Sequence, residues 1–167
     1  MKFVTLFMTI VGFFALTQNL SDIRVAYKEA ANDKDKGKIE AFYNLLKDIN
    51  KQNNVALVAY KGASIALKAK YAETLKDKKE GFIEGVSYIE FAIEKEPNAI
   101  EPRFIRLGIQ ENTPKVLKYK DHIDEDKLFL LKQYKNIPSK NLKSHIKDYI
   151  LQSKVFSDQE KQSIINQ

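Results

Sequence analysis

From Ser21 to the C-terminus, apolar side chains return every third or fourth residue, and no useful length of the chain alternates apolar with polar positions. A period near 3.6 lines up one face of an α-helix, whereas a half-buried strand needs a period of two. The chain is therefore expected to be all-α. Six glycines and four prolines are too few for a turn-rich β fold or a disordered tract, and 167 residues with 44% hydrophobic content can fill one core. One domain over 18–167 follows as the expectation. The absence of cysteine removes a disulfide framework, a thiolate metal site, an iron–sulfur cluster and a Cys nucleophile together.

The stripes can be followed in order. Ile23, Ala26, Tyr27 and Ala30 form a first helix that ends in a charged turn over 32–37, and Ile39, Phe42, Tyr43, Leu46 and Ile49 carry a second toward Asn53. Residues 55–72 read as a third helix rich in alanine, which lets a neighbour approach closely. The polar, Lys-rich stretch 74–80 reads as a hairpin loop. Phe82, Val86, Ile89, Ala92 and Ile93 make the next stripe, closed at Glu96-Pro97, and Pro102 opens another helix carrying Phe104, Ile105, Leu107 and Ile109. These two helices are expected to pack antiparallel, with Ala92 at their closest approach. Residues 115–122 read as irregular, Asp124, Glu125 and Asp126 as acids complementing a helix N-terminus, and Ser157-x-x-Glu160 as a capping box.

Lys2 precedes 14 uncharged residues, Phe3 to Leu16, with small Ala15 and Thr17 ahead of Gln18. As a helix this run reaches roughly 21 Å, short of the ~30 Å hydrocarbon layer. It reads as a signal peptide over 1–17, with an uncleaved anchor or a buried first helix as the alternatives, and export to the periplasm or cell envelope is the expectation. The net charge of +6 is local, because residues 113–156 hold ten lysines against five acids. Basic residues are almost all lysine, and phosphate or groove recognition recruits arginine, so nucleic acid is not an expected partner. Weak contact with an anionic membrane surface through the Lys-rich 113–156 segment is a further expectation.

Three arginines, Arg24, Arg103 and Arg106, stand against 25 lysines. Arg103, Arg106 and Gln110 fall within about 60° of arc on one helix, so the planar guanidinium fork has a use there. Either it pairs internally with Glu84, Glu90, Glu94 or Glu101, or it grips a partner's carboxylate or phosphate in a groove. Tyr60 and Tyr119 join these three as partner-binding candidates, since a tyrosine ring is apolar while its tip can stay wet. His122 beside Asp121, Asp124 and Asp126 lacks the convergence of a metal site, and capping accounts for the acids. His145 reads as surface or half-buried packing. No nucleophile elbow or Gly-rich phosphate loop is present, so neither a catalytic residue nor a cofactor is expected.

Gly85-x-x-x-Ile89-x-x-Ala92-Ile93-x-x-x-Pro97, followed by Leu107-Gly108, resembles the second helix of a tetratricopeptide repeat and the start of the next. Tyr60-Lys61-Gly62-Ala63, Phe82-x-x-Gly85, Glu101-x-Arg103-x-x-Arg106-x-x-x-Gln110-x-Asn112-x-Pro114-x-x-Leu117-x-Tyr119 and Asp126-Lys127 resemble small exported helical proteins of Bacteroidota. The resemblance implies a degenerate, tetratricopeptide-like array of antiparallel helix hairpins and assigns no catalytic residue. The expected function is a non-catalytic exported scaffold or adaptor for a protein or peptide of the envelope. The alternative is a small-ligand carrier or small enzyme with a polar pocket around Arg103, Arg106 and Gln110.

Overall fold

The computed structural model describes residues 19–32 and 35–167. The expected signal peptide lies outside the described residues, as do Asp33 and Lys34 of the first turn. Among the described residues the fold is all-α, with eight α-helices and no strand: α1 (Leu20–Asn32), α2 (Lys36–Leu45), α3 (Val55–Ala69), α4 (Leu75–Lys95), α5 (Ile100–Asn112), α6 (Ile123–Gln133), α7 (Lys140–Gln152) and α8 (Asp158–Ile165). Short 3-10 turns at Lys115–Leu117 and Tyr134–Asn136 flank α6. Side-chain oxygens of Asp35, Asn54, Thr74, Ser139 and Ser157 accept backbone N–H groups at the starts of α2, α3, α4, α7 and α8, which satisfies donors that a helix leaves orphaned. At α8 the expected capping box forms, with Glu160 bonding back to the Ser157 N–H at 2.7 Å.

α3 is the axis of the molecule. Thirteen of its fifteen residues are buried, the pattern of a helix surrounded by others rather than one lying on a surface. Its main partner is α4, and glycine makes their contact possible. A Cβ built on Gly62 would lie 2.4 Å from the Gly85 carbonyl oxygen, and one on Gly85 would lie 2.6 Å from the Gly62 oxygen and the Ala66 nitrogen. The two backbones touch where any side chain would hold them apart. Gly81 meets Ala69 and Gly62 meets Ile89, so residue numbers rise on one helix as they fall on the other: the pair is an antiparallel hairpin.

Several expected boundaries move. The stretch 74–80 is not a loop, because Thr74 accepts the Asp77 N–H at 3.1 Å and starts α4 there; its lysines are the solvated first turns of that helix. α2 stops at Leu45, and residues 46–49 tighten into turns that still bury Leu46 and Ile49. α3 ends at Ala69 rather than residue 72. Ala92 is fully buried, and α4 packs on both α5 and α3, its tightest backbone contact being with α3 at Gly62 and Gly85.

A chain of ring contacts crosses the core. Tyr27 of α1 packs on Phe42, Tyr60 and Phe104, with centroids 5.4–6.1 Å apart, and Phe104 continues to His145 and Tyr149 of α7 at 5.1 and 5.3 Å. These offset and edge-on contacts join α1, α2, α3, α5 and α7.

Candidate functional site

All three arginines are used inside the molecule, and each tie involves α5. Arg24 on α1 reaches Glu101 in the first turn of α5 through two nitrogens, Nε to Oε1 at 2.7 Å and Nη2 to Oε2 at 2.9 Å. Tyr60 donates its hydroxyl to the same Oε1 at 2.7 Å, and Arg24 Nη1 continues to Ser139 and Asn141 at the start of α7. One buried carboxylate thus gathers α1, α3 and α5. Burial, with Glu101 adding to it, holds the Tyr60 hydroxyl well above its ordinary pKa, so it stays a donor.

The second tie lies on the opposite face of α5. Asp126 of α6 is fully buried and accepts four contacts: Arg106 Nε at 2.7 Å and Nη2 at 2.8 Å, Arg103 Nη1 at 3.1 Å, and Gln110 Nε2 at 3.3 Å. Arg106 Nη1 also meets Glu90 of α4, whose other oxygen takes the Tyr119 hydroxyl, and Arg103 meets Glu125 at 2.6 Å. Burial alone would lower the Arg106 pKa, but its bonds to Asp126 outweigh that and raise it. The Arg103 hydrogen bond, followed by His122, holds the Glu125 carboxyl below the usual range. Asp126 and Glu125 therefore hold α6 against α5, where the sequence pattern pointed to capping. Of the acids expected to pair with Arg103 and Arg106, Glu90 does so, Glu101 serves Arg24, and the other principal partners come from the following helix.

Tyr60, Arg106 and Gln110 are buried, Arg103 is 12% exposed at its side chain, and Tyr119 is half-buried with its hydroxyl on Glu90. The structure brings Arg103, Arg106, Gln110 and Tyr119 into one network and places Tyr60 in the other. The polar groups of Arg103, Arg106 and Gln110 face the carboxylates that hold them.

A cleft lies between α1, α5 and α7, where the end of α3 and the start of α4 complete its wall. Its volume is about 680 Å³. Phe104, Gly108, Glu111 and Asn112 line it from the face of α5 away from Arg106; Tyr27 and Lys28 come from α1, and His145, Asp148 and Tyr149 from α7. Gly108 makes room at the floor, since a Cβ there would sit 3.0 Å from the Tyr27 hydroxyl. That hydroxyl belongs to a residue only 5% exposed and has no hydrogen-bond partner among the described residues. Burial raises its pKa, keeping it protonated.

His145 packs edge-on to Phe104 and has no hydrogen-bond partner among the described residues. Burial, helped by the Lys28 charge, lowers its pKa to about 4, so the ring is neutral at pH 7. Sequence periodicity placed His145 and Tyr149 on a packing face, but it could not show that this face borders a cavity: helix spacing ranks neighbours within a helix, not gaps between helices. The absent Cβ of Gly108 was the local signal.

A smaller cleft of about 350 Å³ between α2, α3 and α4 carries Lys68, already bonded to Glu40 and stacked over Tyr43. Among the described residues no cluster of three or more His, Asp or Glu converges as a metal site would require, and no helix is long and apolar enough to cross a membrane. Neither a protein-family model, a curated protein nor a solved structure matches the chain.

Proposed function

We propose that this chain is a non-catalytic binding protein of the cell envelope and that the α1–α5–α7 cleft is its working surface. The observation that carries the reading is the cleft itself: about 680 Å³ in volume, open on one side, floored by Tyr27, Phe104, His145 and Tyr149 and rimmed by lysines. Small-ligand sites span roughly 300–1,000 Å³ and combine an apolar lining with a few placed polar groups. Glu111 and Asp148 are already bonded within the protein and the His145 ring packs on Tyr27 and Phe104, which supports binding rather than catalysis. The charged start and apolar run of the first 17 residues support export.

Scaffold or adaptor action is a second reading of the same cleft. Its open side would admit a short segment of an envelope protein as well as a free ligand. A fragment screen followed by NMR tests the assignment of the cleft under either reading. Shifts are expected to cluster on Tyr27, Phe104, His145 and Tyr149, and fragments that perturb scattered surface residues instead would overturn it.

A further inference from the structure

The polar groups of the cleft divide unevenly between donors and acceptors. Most of the acceptors are spent. Glu111 Oε2 takes the Tyr149 hydroxyl at 2.7 Å and Ser153 Oγ at 2.9 Å, its Oε1 takes the Lys154 backbone N–H at 2.8 Å, and Asp148 takes Lys28 at 2.6 Å. The carbonyls that close α5 are also engaged: Asn112 Nδ2 bonds to Gly108, Thr113 Oγ1 to Ile109, and Lys120 Nζ to Glu111. Side-chain amides of Asn32, Asn112 and Gln152 and the neutral ring of His145 offer both roles and do not tip the balance.

The donors are not spent. The Tyr27 hydroxyl is buried without a partner, and Lys70, Lys78 and Lys154 line the cleft with no carboxylate partner for their ammonium groups among the described residues. Lys70 and Lys154 are exposed and Lys78 is half-buried, so water still reaches these ammonium groups, although desolvation lowers the Lys70 pKa with no acid to oppose the shift. A buried donor left unmatched is costly and calls for an acceptor.

This imbalance discriminates among ligands. A peptide backbone brings N–H groups that need acceptors, and a purely apolar molecule leaves Tyr27 and the lysines unanswered. What matches is an apolar body carrying oxygen acceptors and negative charge. Resting on the reading of the cleft as a binding site, we propose that it takes an amphipathic organic carboxylate. Its apolar body lies on Phe104, Tyr149 and Leu117, and its oxygens accept hydrogen bonds from Tyr27 and the lysine rim.

Calorimetric titration with three probes of one shape tests this: 4-phenylbutanoate, 4-phenylbutan-1-ol and 4-phenylbutan-1-amine. The carboxylate should bind about tenfold or more tightly than the alcohol, weaken as salt rises, and outcompete the amine. Tyr27→Phe should reduce carboxylate affinity about tenfold while the melting temperature holds or rises, because the substitution removes an unmatched buried hydroxyl. The double variant Lys70→Gln/Lys78→Gln should lose most of the salt dependence.

Equal binding of acid and alcohol, absence of carboxylate binding, unchanged affinity in Tyr27→Phe, or a Tyr27→Phe protein that melts markedly lower would each overturn the inference. If the carboxylate fails while uncharged fragments still shift the cleft residues, only the ligand class falls. If no fragment reaches the cleft, the binding reading falls as well.

Discussion

Arg106 holds Asp126 through two parallel hydrogen bonds inside the protein, with side-chain exposures of 4% and 0%. An ammonium can reproduce the charge but not the fork, and it would leave one carboxylate oxygen short of a donor. Arg106→Lys is expected to lower unfolding free energy by about 3 kcal/mol, since disturbing a buried pair exposes the desolvation cost of both ions. Urea denaturation at pH 7 checks it, and a change within about 0.5 kcal/mol, the ordinary range of a surface substitution, would refute it. His145 gives a pH signature of its own. Its folded-state pKa of about 4 lies below the unfolded value near 6.5, so between these limits the unfolded chain binds a proton that the native protein excludes. Stability is therefore full above pH 6.5 and falls on acidification toward pH 4, with a slope approaching 1.4 kcal/mol per pH unit, about the value of one proton. Comparing denaturant midpoints of wild type and His145→Phe from pH 7 to 4 isolates this contribution; parallel curves would show that the ring titrates normally.

Among the elements, the α3–α4 hairpin depends most on single atoms. Gly85→Ala drives a methyl group to within 2.6 Å of two backbone atoms of α3, which cannot rotate away as a side-chain tip would. The expected loss is about 2–3 kcal/mol by overpacking, although alanine is the better helix former in isolation. Thermal unfolding reads it, and a stabilised variant would show that the helices do not touch there. The periodic stripes were enough to place α1, α2 and α4, whose buried residues recur three or four positions apart, whereas α8 buries Ile164 alone and was marked by its capping box. The alanines of residues 55–72 likewise announced a close neighbour. What could not be read was which neighbour: the repeat-like spacing of Gly85 and Ala92 pointed α4 at α5, whereas Gly62 lies 23 residues upstream and no local pattern links it to Gly85. Boundaries slipped for a related reason. Lys76, Lys78 and Lys79 look like loop residues by polarity, and only the Thr74 cap shows that they begin a helix. At the candidate sites, rarity singled out the arginines, of which Arg24 and Arg106 set the planar fork on a carboxylate, but those carboxylates lie on elements that only folding brings near.

At the scale of the whole molecule, α5 carries one end of every arginine tie and one wall of the cleft, while α3 fills the centre. α8 packs mainly on α7 and is linked to α6 through Lys127 and Glu160 at 3.3 Å. Native-state hydrogen exchange should therefore protect α3 and α5 to nearly the global unfolding free energy and release α8 at a much lower one. Equal protection across all helices would show that α8 belongs to the same cooperative unit. Confining every guanidinium to the interior also divides the basic residues by chemistry. The side chains of Arg24, Arg103 and Arg106 are 9%, 12% and 4% exposed, so lysine amines supply nearly all the positive charge that meets solvent. An acylating reagent would then reverse the sign of the surface while the internal clasps stayed closed. A dicarbonyl reagent selective for guanidinium would find little to attack until the protein came apart, which makes arginine labelling a clock for global unfolding.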